Sequence, residues 1–251
     1  MKLNIIIILF IIILIYLFIF NNKKISADKF DNLDNLDYSN KLGIDFIDAV
    51  YYINLDHRTD RNTNFINEMN KINFPSDKIF RVSAVYKPSQ GDLGCSLSHI
   101  KVLEQFINSN FNNCIIFEDD FEFTLNPHQI NDALFNLFYY NIDFDVCMLA
   151  SNTIYDLNTN YPFLKKIISA QTASGYIVSK KFAITLLDNY IRGATLLQQS
   201  YNDGNKNSEY CVDQYFKLLQ PNSNWLVFEP KLGKQLSSYS DIQNSYVQMN
   251  V

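Results

Sequence analysis

The sequence has no basic block. With 21 Lys and Arg against 26 Asp and Glu, its net charge is −5. It therefore has little electrostatic attraction for a polyanion, and nucleic acid is set aside as a partner. The four cysteines, Cys95, Cys114, Cys147 and Cys211, contain no C-x-x-C pair. That argues against a zinc site, and their spacing indicates no disulfide framework. Only three histidines are present, His57, His99 and His128. A metal-dependent phosphohydrolase or nucleotidyltransferase usually needs richer His and Asp clusters, so that class is poorly supported. No N-x-S/T sequon occurs despite abundant Asn, so nothing in the sequence supports a glycosylated lumenal domain. No internal repeat is evident.

What is present is a chain of 251 residues, 47% hydrophobic, enough for one sizeable core or a domain with a small subdomain. Leu3 to Phe20 is an apolar run broken only by Asn4 and followed by Asn21-Asn22-Lys23-Lys24. As a helix it approaches the hydrocarbon thickness of a bilayer and exceeds a usual signal-peptide core. Ile25-Ser26-Ala27 only poorly imitates a cleavage site, so residues 1–22 are expected to be an uncleaved signal anchor. Lys2 and the amino terminus balance Lys23 and Lys24, and the charge rule gives no orientation. A single-pass type II arrangement is expected, with the C-terminal domain outside the cytosol. Residues 23–45 are polar and acidic and read as a stem.

From Ile47 onward strand and helix patterns alternate. Strands are expected at Ile47–Leu55, Ile79–Val85, Cys114–Phe121, Asp145–Leu149, Ala173–Val178 and Trp225–Phe228. Helices carry the stripes Phe65/Met69, Leu103/Phe106, Leu134/Leu137, Phe182/Leu186 and Val212/Phe216, with Tyr201–Asn207 expected as a loop. Asn126-Pro127 marks a helix start. This alternation predicts an α/β fold, a mostly parallel sheet with helices on both faces. In such sheets ligands sit beyond the carboxyl ends of the strands. Polar residues cluster there: Asn54 and Asp56, Ser83, Glu118-Asp119-Asp120, and Ser151-Asn152.

The stretch Ile115 to Phe123, IIFEDDFEF, places three carboxylates at the end of an apolar strand. Adjacent carboxylates repel, and burial without a partner raises their pKa values or opens the strand end. A hard divalent cation, Mn²⁺ or Mg²⁺, resolves the conflict through oxygen ligands. On a strand Glu118 and Asp120 point to one side and Asp119 to the other. Glu118 and Asp120 are therefore the expected metal ligands. The competing explanation is an acidic strand end paired with Lys or Arg.

Five segments occur in a fixed order: VYYINLDHRTDR (Val50–Arg61), GCSLSHIKVLE (Gly94–Glu104), IIFEDDFEF, TASGYIVSKKFA (Thr172–Ala183) and VDQYF (Val212–Phe216). In order and spacing they resemble glycosyltransferase family 25, which includes lipooligosaccharide and procollagen hydroxylysine galactosyltransferases. The resemblance spans Ile47 to the C-terminus. It implies a GT-A-like nucleotide-sugar-binding domain over residues 46–251, with the acidic motif holding a divalent metal against the donor diphosphate.

By that resemblance Asn54, Leu55, Asp56, Arg58, Arg61, Ser83, Ala84, Ser98, His99, Asp119, Gly175 and Tyr176 are expected to bind the donor. Gly175 would allow close ligand approach. Asp213 is the expected base that deprotonates the acceptor hydroxyl in an inverting transfer, with Glu209 as alternate. Gln235 to Ile242 is also similar to the family and would close over the site. The implied activity is transfer of a sugar, galactose, from a UDP-sugar to a glycan, lipooligosaccharide or hydroxylysine hydroxyl. Two departures stand out: the second domain of the collagen enzymes is absent, and the motif is Glu-Asp-Asp instead of Asp-x-Asp. The alternative is a non-catalytic glycan- or nucleotide-binding protein on the same fold.

Overall fold

The computed structural model describes residues 41–236 and, for the backbone alone, two short strands at Ser238–Ser240 and Ser245–Val247. The expected anchor at residues 1–22 and the stem as far as residue 40 lie outside the described residues. Among the described residues no helix is long and apolar enough to cross a membrane. The last stem positions belong to the fold: Gly43–Phe46 form a helical turn with Gly43 and Ile44 buried. A Cβ on Gly43 would lie 2.1 Å from the backbone oxygen of Asn131, so this turn packs directly on a helix.

The sheet starts from β1, Ala49–Asn54, whose six residues are all buried. Helix α1, Thr59–Lys71, crosses over to β2, Ile79–Ser83, and helix α2, Gly91–Asn108, crosses to β3, Asn113–Glu118. Both β2 and β3 pair in parallel with β1. A short strand β4, Phe121–Phe123, precedes α3, Pro127–Tyr139, which opens on Asn126 as N-cap in a capping box with Gln129. Next come β5, Val146–Met148, the hairpin β6, Asn152–Asn158, with β7, Leu164–Gln171, and then β8, Gly175–Ser179. Helix α4, Lys180–Asn202, one turn α5, Val212–Tyr215, strand β9, Trp225–Phe228, and β10, Gly233–Gln235, complete the described fold.

The eight-stranded order is β2-β1-β3-β8-β5-β9-β7-β6. The sheet is mixed, which corrects the expectation of a mostly parallel one. Strand β8 runs antiparallel between β3 and β5, while β7 is antiparallel to both β9 and β6. Central strands buried on both faces read as continuous apolar runs, and such runs carry no mark of direction. The hairpin β6–β7 went unread for a related reason: β6 is largely exposed, held by pairing instead of an apolar stripe. Helix α4 also extends through Tyr201 and Asn202, where a loop was expected.

Helices do cover both faces. Tyr51, Ile116, Tyr176 and Trp225 pack on one side with Leu103 and Phe106 of α2 and Leu186 of α4. Val50, Ile115, Phe117 and Ile177 pack on the other with Phe65 of α1 and Leu134 of α3. Register fixes the functional edge: Asn54 lies opposite Ser83, and Ile53 opposite Glu118. The three parallel strands therefore end level with one another.

Candidate active site

Strand β3 stops at Glu118, and Asp119 and Asp120 form the turn into β4. The simple alternation assumed from sequence, which ran through Asp120, therefore ends two residues early, yet Glu118 and Asp120 still converge. Gln235 Nε2 approaches Glu118 Oε2 at 3.4 Å and Asp120 Oδ2 at 3.2 Å. Gln235 reaches this point because β10 pairs antiparallel with β4, Gln235 opposite Phe121. Its neighbour Leu236 donates its backbone N–H to the Asp120 carbonyl at 2.8 Å.

The aromatics after the acids clamp this turn. The ring of Phe121 lies 4.6 Å from that of Phe117 and 5.0 Å from that of Phe123. Cβ atoms added at Gly175 and Gly233 would stand 2.6 and 2.2 Å from the Phe121 ring. Gly175 thus makes room for a phenylalanine that braces the acidic turn.

Asp119 is fully engaged within the protein. Its Oδ2 accepts from Asn54 Nδ2 at 2.7 Å and its Oδ1 from Arg61 Nη1 at 2.9 Å. The same Arg61 nitrogen lies 3.3 Å from Asp120 Oδ2. The other oxygen of Asp120, Oδ1, is buried and has no hydrogen-bond partner among the described residues. Burial, then the charge of Glu118, pushes Asp120 up to about 7 against the pull of Arg61. Burial also raises Asp119. Glu118 goes the other way: burial works to raise it, but the hydrogen bond and charge of His99 hold it below the ordinary carboxylate range.

At the ends of β1 and β2 a second polar array forms. Arg81 donates to Asn54 Oδ1 at 2.8 Å and to Asp56 Oδ1 at 2.7 Å, and Ser83 Oγ donates to Asp56 Oδ2 at 2.8 Å. Hydrogen bonds from Arg81 and Ser83 hold exposed Asp56 below its usual range. Arg58 meets Asp60 at 2.9 Å, and its hydrogen bond lowers Asp60 to about 2. The Leu55 carbonyl accepts from Arg58 N at 2.9 Å, and Ala84 N donates to the Asn54 carbonyl at 3.0 Å. Arg81 was not singled out from sequence, although it stands two residues before Ser83.

Ser98 and His99 face inward. Ser98 Oγ accepts from Val85 N at 2.8 Å and donates to the Gly94 carbonyl at 2.7 Å, which ties the loop after β2 to α2. His99 is fully buried. Its Nδ1 lies 3.0 Å from Tyr176 Oη and its Nε2 3.2 Å from Glu118 Oε1. Tyr190 Oη donates to Tyr176 Oη at 3.2 Å, extending the chain into α4. Cys95, one helical turn before His99, brings its Sγ to 3.5 Å from the same Glu118 Oε1. Cys95 and Tyr190 carried no site signal on their own.

Asp213, at the first turn of α5, accepts at Oδ2 from Thr172 N at 3.3 Å. Thr172 has φ 81°, an unusual conformation for a β-branched residue and one that clusters at functional sites. Burial raises Asp213, and the charge of Glu118 raises it further. Buried Asp92 on α2 anchors the segment leading to it, taking Tyr201, Lys206 at 2.6 Å and Cys211 at 3.4 Å. Glu209 is exposed, in the turn Ser208–Tyr210, where its backbone N–H donates to Asn207 Oδ1 at 3.0 Å.

The residues present fit a divalent cation. Three carboxylates crowd one strand end, Arg61 compensates only part of their charge, and an oxygen of Asp120 is buried with no partner among the described residues.

The chain belongs to glycosyltransferase family 25: the family pattern, described as glycosyltransferase family 25 (LPS biosynthesis protein), matches residues 22–195. No curated protein matches the sequence. Among solved structures, a glycosyltransferase involved in glycosylation of the major capsid of PBCV-1 aligns over 78% of this chain and 95% of its own, at 11% identity and TM-score 0.45. The glycosyltransferase GlyE of Streptococcus pneumoniae TIGR4 aligns over 73% of this chain and 45% of its own, at 7% identity and TM-score 0.42. A197 from STIV aligns over 72% and 81%, at 10% identity and TM-score 0.39. Likenesses this distant carry no argument about substrate or chemistry.

Proposed function

We propose that this chain is a metal-dependent inverting glycosyltransferase that moves galactose from a UDP-sugar to a hydroxyl of a glycan, with a lipooligosaccharide sugar favoured over hydroxylysine. The observation that carries the proposal is the buried Asp120 Oδ1, without a hydrogen-bond partner among the described residues, in a turn where the charge of Glu118 acts on Asp120. Glu118 and Asp120 would hold the cation, Mn²⁺ or Mg²⁺, which supplies positive charge against the diphosphate of the leaving group.

The chain's own residues do the rest. Asn54, Asp56, Arg58, Ser83 and Ala84, with Arg81, present hydrogen-bonding groups at the ends of β1 and β2 for the nucleoside end of the donor. Arg61 and Asp119 fix the acidic turn. Asp213, ionised, takes the proton of the acceptor hydroxyl as that oxygen bonds to the anomeric carbon. The bond from this carbon to the diphosphate oxygen breaks on the opposite face, which inverts the configuration and releases UDP. The apolar run of residues 3–20 would anchor the enzyme in the membrane, close to a lipid-linked acceptor.

The test is UDP release from a panel of UDP-sugars, with the full chain in detergent, with and without Mn²⁺. Mn²⁺-dependent release from UDP-galactose is expected. Binding of a nucleotide-sugar without release under any condition would favour the non-catalytic alternative.

A further inference from the structure

Glu118 presents its two carboxylate oxygens to different surroundings. Oε2 faces Gln235 and the Asp120 side, while Oε1 faces Cys95 Sγ at 3.5 Å and His99 Nε2 at 3.2 Å. Cys95, His99 and Glu118 each offer one ligand atom, and these three atoms lie within 4.8 Å of one another. Cys95 and His99 sit four residues apart on α2, so both project from one face of the helix. Glu118 is fixed opposite them as the last residue of β3.

We infer that Cys95, His99 and Glu118 form a binding site for a thiophilic divalent cation of the zinc class, separate in ligand chemistry from the oxygen-only centre at Asp120. Zinc takes thiolate, imidazole and carboxylate together at bond lengths that place tetrahedral ligands about 3.3–3.8 Å apart. The Cys95–Glu118 separation lies within that span and the His99–Glu118 separation falls just below it. The second ring nitrogen of His99 is held by Tyr176 Oη at 3.0 Å, the outer-shell contact that fixes a ligating imidazole in one orientation. Cys95 and Glu118 are each partly exposed, which leaves an entry path, and three protein ligands leave a fourth position open. On binding, the Cys95 thiol loses its proton to solvent and the thiolate coordinates the ion.

The site shares Glu118 with the proposed Mn²⁺ centre but does not depend on sugar transfer, and the experiment keeps the two apart. Co²⁺ is titrated into the full chain in detergent without Mn²⁺. A near-ultraviolet thiolate-to-cobalt absorption is expected, with the visible bands of a four-coordinate ion. Cys95→Ser abolishes the thiolate absorption, His99→Gln weakens Co²⁺ binding at least about tenfold, and Asp120→Asn leaves the absorption in place. If Cys95→Ser folds poorly, alkylation of the wild-type chain serves instead: Zn²⁺ should protect Cys95 from iodoacetamide, read by peptide mass. No thiolate absorption in the wild type, its persistence in Cys95→Ser, or no protection of Cys95 overturns the inference. Loss of Mn²⁺-dependent UDP release with the cobalt absorption intact would count against the transferase proposal alone.

Discussion

Asn54 Nδ2 donates to Asp119 Oδ2 at 2.7 Å, joining the ends of two parallel strands across the mouth of the site. The Asn54 side chain also donates to the Arg58 carbonyl at 3.0 Å and accepts from Arg81 at 2.8 Å. One amide therefore holds the acidic turn, the start of α1 and the end of β2. Asn54→Ala leaves a buried carboxylate oxygen and a guanidinium short of partners, and is expected to cost roughly 1–3 kcal/mol. Urea denaturation of wild type and variant measures this, and an unchanged midpoint would reject the role.

Asp120 gives a prediction with a defined sign. Its folded value is about 7 against an ordinary 3.8. A carboxyl raised by folding binds its proton more tightly in the native state, so it lowers stability as pH rises between those values, with the full penalty above pH 7. Without metal, Asp120→Asn should raise the melting temperature at pH 8, by roughly 2–4 °C for each kcal/mol relieved. Mn²⁺ should stabilise the wild type and not the variant. A thermal-shift series at two pH values, with and without Mn²⁺, reads both effects together.

Asp213 and Glu209 separate cleanly. Asp213→Asn should lower transfer by about 10²–10⁴-fold while UDP-sugar binding persists. Glu209→Gln, at an exposed position, should remain close to wild type. Because Asp213 is raised by burial and by Glu118, the acidic limb of the wild-type pH–rate profile should fall above the ordinary carboxylate range. A limb at the ordinary range would assign the base elsewhere.

Gly175 tests the bracing of the acidic turn. Its added Cβ would come within 2.6 Å of Phe121 and 3.1 Å of Phe117. Gly175→Ala should destabilise by roughly 1–3 kcal/mol. The cost should shrink in a Phe121→Leu background, since the clash partner is then smaller. Equal costs in both backgrounds would show that Phe121 is not the reason for the glycine.

Much of the architecture is legible in the sequence because burial leaves a periodic trace. The stripes on α1 to α4 were readable, as was the N-cap at Asn126, since a helix must hide one face and satisfy its first N–H groups. Strand direction was not readable, because β3, β5 and β8 are apolar on both faces whichever way they run. The acidic turn stood out as charge at the end of an apolar strand. Its pairing with Arg61 and Gln235 did not, although both residues were singled out: Arg61 is 58 residues from Asp119, and Gln235 is 115 from Asp120.

Alone, the sequence determined that an acidic centre lies at a strand end of an α/β domain, since local charge and local periodicity suffice for that. Tertiary structure decided what each carboxylate meets. It engages Asp119 with Asn54 and Arg61, leaves an oxygen of Asp120 without a partner among the described residues, and turns Glu118 toward His99 and Cys95. The cysteine spacing argued against a zinc site because such spacing reports only ligands near one another along the chain. Here the third ligand arrives from a strand 19 residues beyond His99, and only the packing of α2 on β3 brings it there.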